Sequence, residues 1–244
     1  MDAPAGIFAC LAGGVGVMHW LVAVLLLVSV SLVTGETFKP ISVQQTSWDF
    51  GSVGIDFTIY HRFPLANTTD KKVRILGIES DCDCTALHTR DTILNPGDTA
   101  WIDLEFLTRD FFGAVSKSFF VKTDLPGREQ IEMIYSARVG QWMWGVKPTP
   151  ISVFLLQGQT QKRVQISNIA NDKTTIEGLR VYDSAFTVDI VQPSAGRGEQ
   201  MILDIKAAPN LANGTHQSNV TFLIRASGAA EPVLVTLPVK IVRF

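Results

Sequence analysis

The sequence predicts an all-β fold: two β-sandwich domains in tandem, placed after an N-terminal hydrophobic helix. Three observations carry that expectation. The first 35 residues are almost free of charge, the rest of the chain alternates apolar and polar residues with period two, and its two halves match each other at one fixed offset.

The leader comes first in the chain. From Ala3 to Gly35 there is no Asp, Glu, Lys or Arg, and Trp20 to Val33 ("WLVAVLLLVSVSLV") is nearly pure aliphatic. As a helix, Ile7 to Val33 would be roughly 40 Å long, enough to cross a hydrocarbon core of about 30 Å. Read from Met18, the same stretch is a short apolar run ending in small residues around "SLVTG", the pattern of a secretory signal. Residues 1–35 are therefore expected to be a signal peptide or a transmembrane anchor, with the start at Met1 or Met18 left open. Both readings make the membrane a partner through this segment. Both also place the rest outside the cytoplasm, as a single-pass anchored, secreted or periplasmic chain. Asp2 is the sole side-chain charge before Glu36, so charge asymmetry does not orient the segment.

Strand-like alternation follows. Phe57, Ile59, His61, Phe63 and Leu65 fall on one face, as do Ala100, Ile102, Leu104 and Phe106, and then Ile131, Met133 and Tyr135. Later come Val164 and Ile166; Phe186, Val188 and Ile190; Met201, Leu203 and Ile205; and Val233, Val235, Leu237, Val239 and Ile241. After the leader no stretch carries a 3.6-residue stripe.

A shift of 101 residues aligns the two halves almost without a gap. Phe63 meets Val164, Leu65 meets Ile166, Asn67 meets Asn168, Ile75 meets Ile176 and Gly77 meets Gly178. Gly97-Asp98 then meets Gly198-Glu199, Ile102 meets Leu203, Leu104 meets Ile205, Gly113 meets Gly214 and Val121 meets Phe222. The size and strand spacing of each unit are those of an immunoglobulin-like sandwich, with the domains expected at residues 40–140 and 146–244. The boundary falls in "GQWMWGVKPTP", residues 140–150, where Trp142 and Trp144 are expected to pack between the domains as a short, semi-rigid linker.

Bulk composition narrows the function classes. With 46% hydrophobic and 18% charged residues the chain builds cores, and a net charge of -2 offers no basic field to neutralise phosphates, so nucleic acid is not expected as a partner. No Gly-x-Ser-x-Gly, His-Glu-x-x-His or phosphate-cradling glycine loop occurs, and neither an enzyme nor a cofactor is expected. His61 stands in the apolar register of its strand and reads as a core histidine. His216 is expected in a loop beside Asn213 and Asn219, and His19 lies in the leader. The sequons at Asn67, Asn213 and Asn219 would be surface glycan acceptors in a eukaryotic secretory route, and chance matches without function in a bacterium.

The remaining chemistry is in "SDCDCT", residues 80–85. Cys82 and Cys84 point the same way in an extended segment, and His88 is four residues further on. Two thiolates and an imidazole, with Asp81 and Asp83 adding negative charge, suit Cu(I) or part of a zinc site. A disulfide from Cys82 to Cys84 in an oxidising compartment is the alternative, as are buried structural thiols or a redox or intermolecular pair. At the offset of 101 the two cysteines fall on Asp183 and Ala185, so the second unit manages without sulfur.

In order and spacing, "WDFGSV" (48–53), "SDCDCT" (80–85), "LNPGDTAWIDLEF" (94–106) and "FFGAVSKSFFVKTD" (111–124) resemble a bacterial family of uncharacterised extracytoplasmic proteins. That family's pattern runs D-F-G, S-C-G-C-T, P-G and a Gly before a strand, and it is related to Hydin-type and major-sperm-protein-like immunoglobulin sandwiches. The resemblance covers about residues 45–140 and departs at Asp83, where the family has Gly. It implies a sandwich outside the cytoplasm and carries over no catalytic residue. The function expected is a non-enzymatic adaptor or scaffold that binds a protein partner through sheet edges and end loops. The alternative is a metal or thiol handling protein working through Cys82, Cys84 and His88.

Overall fold

A computed structural model of the chain describes residues 41–42, 46–181 and 183–244, without the side chain of Trp144. The expected leader, residues 1–35, lies outside them. No helix among the described residues is long and apolar enough to cross a membrane.

The described chain is all-β. Its first half runs β1 (Ser47–Val53), β2 (Thr58–Ala66), β3 (Val73–Ser80), β4 (Thr85–His88), β5 (Ile93–Leu94), β6 (Thr99–Leu107), β7 (Gly113–Thr123) and β8 (Gln130–Val139). A single 3-10 turn, Met143–Gly145, leads to the second half. There the order is β9 (Lys147–Thr149), β10 (Val153–Leu155), β11 (Gln161–Ser167), β12 (Thr174–Val181), β13 (Phe186–Gln192), β14 (Ser194–Ala195), β15 (Gln200–Ala207), β16 (Gly214–Ala226) and β17 (Val233–Arg243).

Apart from the first strand, each half pairs its strands in the same order. In the first, β2-β6-β4 form one sheet and β1-β8-β7-β3-β5 lie consecutively in another; in the second, β9-β11-β15-β13 form one sheet and β17-β16-β12-β14 the other. The shared part, B-E-D against C-F-G, is that of an immunoglobulin-type sandwich; the first strand lies beside G as β1 in the first half and is divided in the second between β9, beside B, and β10, beside G. The period-two pattern dictates the sandwich, because one face of each strand is apolar and needs a second apolar sheet to cover it. Ile59, Phe63, Leu65, Ile102, Leu104 and Phe106 are buried with Phe119, Val121, Met133 and Tyr135 in one core, and Val164, Ile166, Met201, Leu203, Ile205, Val220, Phe222 and Leu237 in another. Each such side chain contributes about 1.5–3 kcal/mol.

The offset also governs the hydrogen bonds. Ladders β3–β7 and β12–β16 both break register at a bulge, Ile75/Gly77 and Ile176/Gly178. Gly97 and Gly198 hold φ of +88° and +80° in corresponding turns, a conformation that favours glycine. Asn67 and Asn168, both fully buried, each donate through Nδ2 to two carbonyls: Lys71 and Leu94 for the first, Asp172 and Ala195 for the second.

Three expectations need correction. Val188 is half-buried and Ile190 is 40% exposed, because β13 is the outermost strand of its sheet and lies at the margin of the core. His216 is on β16 and not in a loop. Asn67 and Asn219 are buried at 0% and 2%, so their sequons do not mark surface positions.

The two cores share one sheet. β1 pairs in parallel with β8 and, through Ser52 and Val235, with β17, giving a continuous ten-stranded sheet. Trp142 packs against the second core. The join is hydrogen-bonded: Thr236 Oγ1 donates to the Phe50 carbonyl at 2.6 Å, Tyr60 N–H donates to Asn219 Oδ1 at 3.0 Å, and Tyr60 O–H donates to Gln217 Oε1 at 2.9 Å. Burial, and then the neighbouring Glu105 carboxylate, push the Tyr60 hydroxyl up to about 12. Gly51 sits at φ +66° against the Leu234 backbone, where a Cβ would meet the carbonyl oxygen at 2.1 Å.

Candidate functional site

The cysteines lie in the turn between β3 and β4, and there the structure joins them as a disulfide with Cα atoms 5.1 Å apart, within the usual span of about 4.4–6.8 Å. Cys84 N–H donates to Cys82 Sγ at 3.2 Å, and Thr85 N–H to the Cys82 carbonyl at 3.1 Å. Cys84 packs against the first core, and its carbonyl accepts from Leu107 N–H at 2.9 Å. Thr85 Oγ1 hydrogen-bonds the buried Tyr135 hydroxyl, whose pKa burial raises and this bond lowers in part. Asp83 is not among the positive-φ residues, so the turn accommodates Asp where the resembling family has Gly.

The second half forms the same turn without sulfur. Ala185 N–H donates to Asp183 Oδ1 at 2.8 Å, and the Ala185 carbonyl accepts from Ala208 N–H at 2.8 Å. An Asx turn stands where the first half has sulfur.

His88 is exposed on β4, paired in register with Asp103. Asp103 in turn takes a hydrogen bond from Arg62 Nε at 2.5 Å, so Arg62, Asp103 and His88 form one row across the outer face of the three-stranded sheet. The offset reproduces the ion pair as Arg163 and Asp204, here with two bonds of 2.8 Å. Among the described residues no group of three or more His, Cys, Asp or Glu is placed to hold a metal ion. Sequence reasoning missed this row, although the offset alignment of Arg62 with Arg163 and of Asp103 with Asp204 was a signal for it.

His61 is 9% exposed, stacked on Trp48 at 4.0 Å between ring centroids and edge-on to Phe63 at 4.6 Å. Burial lowers its pKa to about 4, so the ring is neutral at pH 7.

The outermost strands differ between the halves. β4 spans four residues and β13, its counterpart at the offset, spans seven. Each pairs on one side, β4 with β6 and β13 with β15, and among the described residues no strand covers the other edge. β13 presents Ile190 at 40% and Val191 at 48% exposure beside that edge.

No curated protein matches the chain in sequence. Among solved structures it is similar to a protein of unknown function from Porphyromonas gingivalis W83, at 12% identity and a TM-score of 0.34, over 82% of this chain and 99% of that one. It is also similar to an ASH/PapD-like domain of human CEP192, at 14% identity and a TM-score of 0.36, over 47% and 97%. A third is the periplasmic chaperone SfaE, at 8% identity and a TM-score of 0.33, over 83% and 100%. At these scores the likeness adds nothing to what the sheets themselves show. In sequence, residues 41–139, the first half of the described chain, match the family described as "Protein of unknown function (DUF1573)".

Proposed function

We propose that the chain is a non-enzymatic adaptor outside the cytoplasm, built of two sandwich units at residues 40–140 and 146–244, which holds an extended segment of a partner protein along the free edge of β13. One observation carries this reading. β13 combines seven residues, an open edge and two exposed aliphatic side chains, Ile190 and Val191. An unpaired row of N–H and C=O groups of that length is a template for an added strand, and the one charge on β13, Asp189, is paired with Lys206 of β15. The uncharged leader and the disulfide support the location. The test is mild crosslinking of the full chain in its own cells. A partner recovered with the native chain should be lost with Ile190→Lys/Val191→Lys and kept with Ile93→Lys on the first half. Recovery of the chain alone, or a partner indifferent to the β13 change, counts against the proposal.

A second reading rests on the Asp183 turn: since the backbone makes that turn without sulfur, the Cys82–Cys84 disulfide is not required for it, and once a thiol reductant has opened it the pair serves thiol or, with His88, metal chemistry. Thiol titration with and without reductant, alongside elemental analysis, tests it. The handler loses function when both cysteines are replaced by Ser, and the adaptor keeps its partner.

A further inference from the structure

Where the two halves meet, the ten-stranded sheet carries an open groove of about 660 Å³. Strand register lays out its floor. β7, β8 and β1 run side by side and place Ser116, Ser136 and Asp49 in one row, with Ala114, Arg138 and Ser52 in the next. The groove exists because Arg138 is the one long side chain in those two rows. Met143 lines it from the 3-10 turn, and the segment Ala229–Leu234, with Glu231, lines it from the second half.

Three groups in this groove have unused bonding capacity. The Arg138 guanidinium donates from Nη1 to Met143 Sδ at 3.4 Å, a weak acceptor, and makes no ion pair among the described residues. Glu231 likewise makes no ion pair there, so unlike charges line one groove without meeting. Ser52 is 2% exposed, held between Arg138 on one side and Val235 of the second core on the other, and its Oγ has no hydrogen-bond partner among the described residues. Asp49 differs, because its Oδ1 already accepts from Gly51 N–H at 2.9 Å and Ser136 Oγ at 3.1 Å.

We propose that this groove binds a peptide segment of mixed charge, with a carboxylate against Arg138, an ammonium toward Glu231, and main-chain groups over the Ser116 hydroxyl. A purely anionic ligand would face Glu231 and Asp49, and a purely cationic one would face Arg138. A ligand with both charges matches each wall. The groove and β13 lie on different sheets, so this inference stands or falls apart from the edge-strand reading.

The probe is a short capped peptide alternating Glu and Lys, labelled and titrated by fluorescence anisotropy into the detergent-solubilised full chain. Saturable binding is expected, with affinity falling about tenfold in Arg138→Met and by a similar factor in Ser116→Trp. Ser116 is an exposed position in the other row of the floor, so its variant fills the groove while keeping the guanidinium. Glu231→Gln should weaken binding about threefold and flatten its salt dependence. The inference is overturned if the native chain does not saturate, if Arg138→Met and Ser116→Trp both bind as the native chain does, or if a Gln-for-Glu, Gln-for-Lys peptide binds equally well.

Discussion

In the first half Asn67 donates to the carbonyls of Lys71 and Leu94; in the second Asn168 donates to those of Asp172 and Ala195, each partner lying 101 residues further on. Around this shared bracket the halves diverge, above all at the edge strand and the turn before it. The turn before the edge strand is held by Cys82 and Cys84 in one and by Asp183 in the other, and the edge strand itself is four residues in one and seven in the other. The difference separates two kinds of residue. The buried Asn that completes two backbone carbonyls is repeated, because an unmade bond in a core is costly, whereas the buried Thr69, Thr108 and Thr123 have Ala170, Pro209 and Ile224 at the offset. Turns and edges face water and are free to differ, so that is where each half acquires its own chemistry.

Asn67→Ala and Asn168→Ala are the strongest test of the shared bracket. Each strands one buried carbonyl, that of Leu94 or of Ala195, and removes a second, part-buried bond, so each is expected to cost about 2–3 kcal/mol in denaturant unfolding. A large loss at one and a small one at the other would break the equivalence of the halves.

Acid separates them next. His61 has a folded pKa of about 4 against an ordinary 6.5, and its offset partner is the exposed Lys162. The unfolded chain therefore binds the proton first. This contribution is fully present above pH 6.5 and is lost as pH falls toward 4, by up to about 3 kcal/mol. Unfolding followed by Trp fluorescence at stepped pH should show that loss, and His61→Phe should remove the slope over the same range.

The smallest expected effect concerns the turn. Replacing Cys82 by Asp and Cys84 by Ala transplants the second half's solution into the first, and the variant should lie within about 1 kcal/mol of the native chain, since an Asx hydrogen bond of that order takes over. A loss several times larger would show that the sulfur bridge holds more than the turn.

Much of this architecture was legible in the sequence. Apolar alternation in Phe63 and Leu65, or in Met201, Leu203 and Ile205, marked core faces because a strand's side chains must alternate. Val188 and Ile190 showed the same alternation but emerge from the core margin, since periodicity fixes which face a residue takes and not how far the opposite sheet extends. Trp142 similarly announced packing without announcing that the second core would receive it. The Cys-x-Cys pair could be located but not paired: a disulfide, a ligand set and free thiols share one spacing.

By itself, then, the sequence determined the all-β character, the repeat of 101 residues and the buried faces, because these depend on local periodicity and on matches along one chain. Only the tertiary structure decided that β1 joins β17 in a common sheet, that Ser52 is buried between Arg138 and Val235, and that β13 has one strand neighbour among the described residues. Those outcomes turn on which strands meet across large separations in the chain. Pairing of that kind is set by the closure of the whole fold, and no short stretch of residues encodes it.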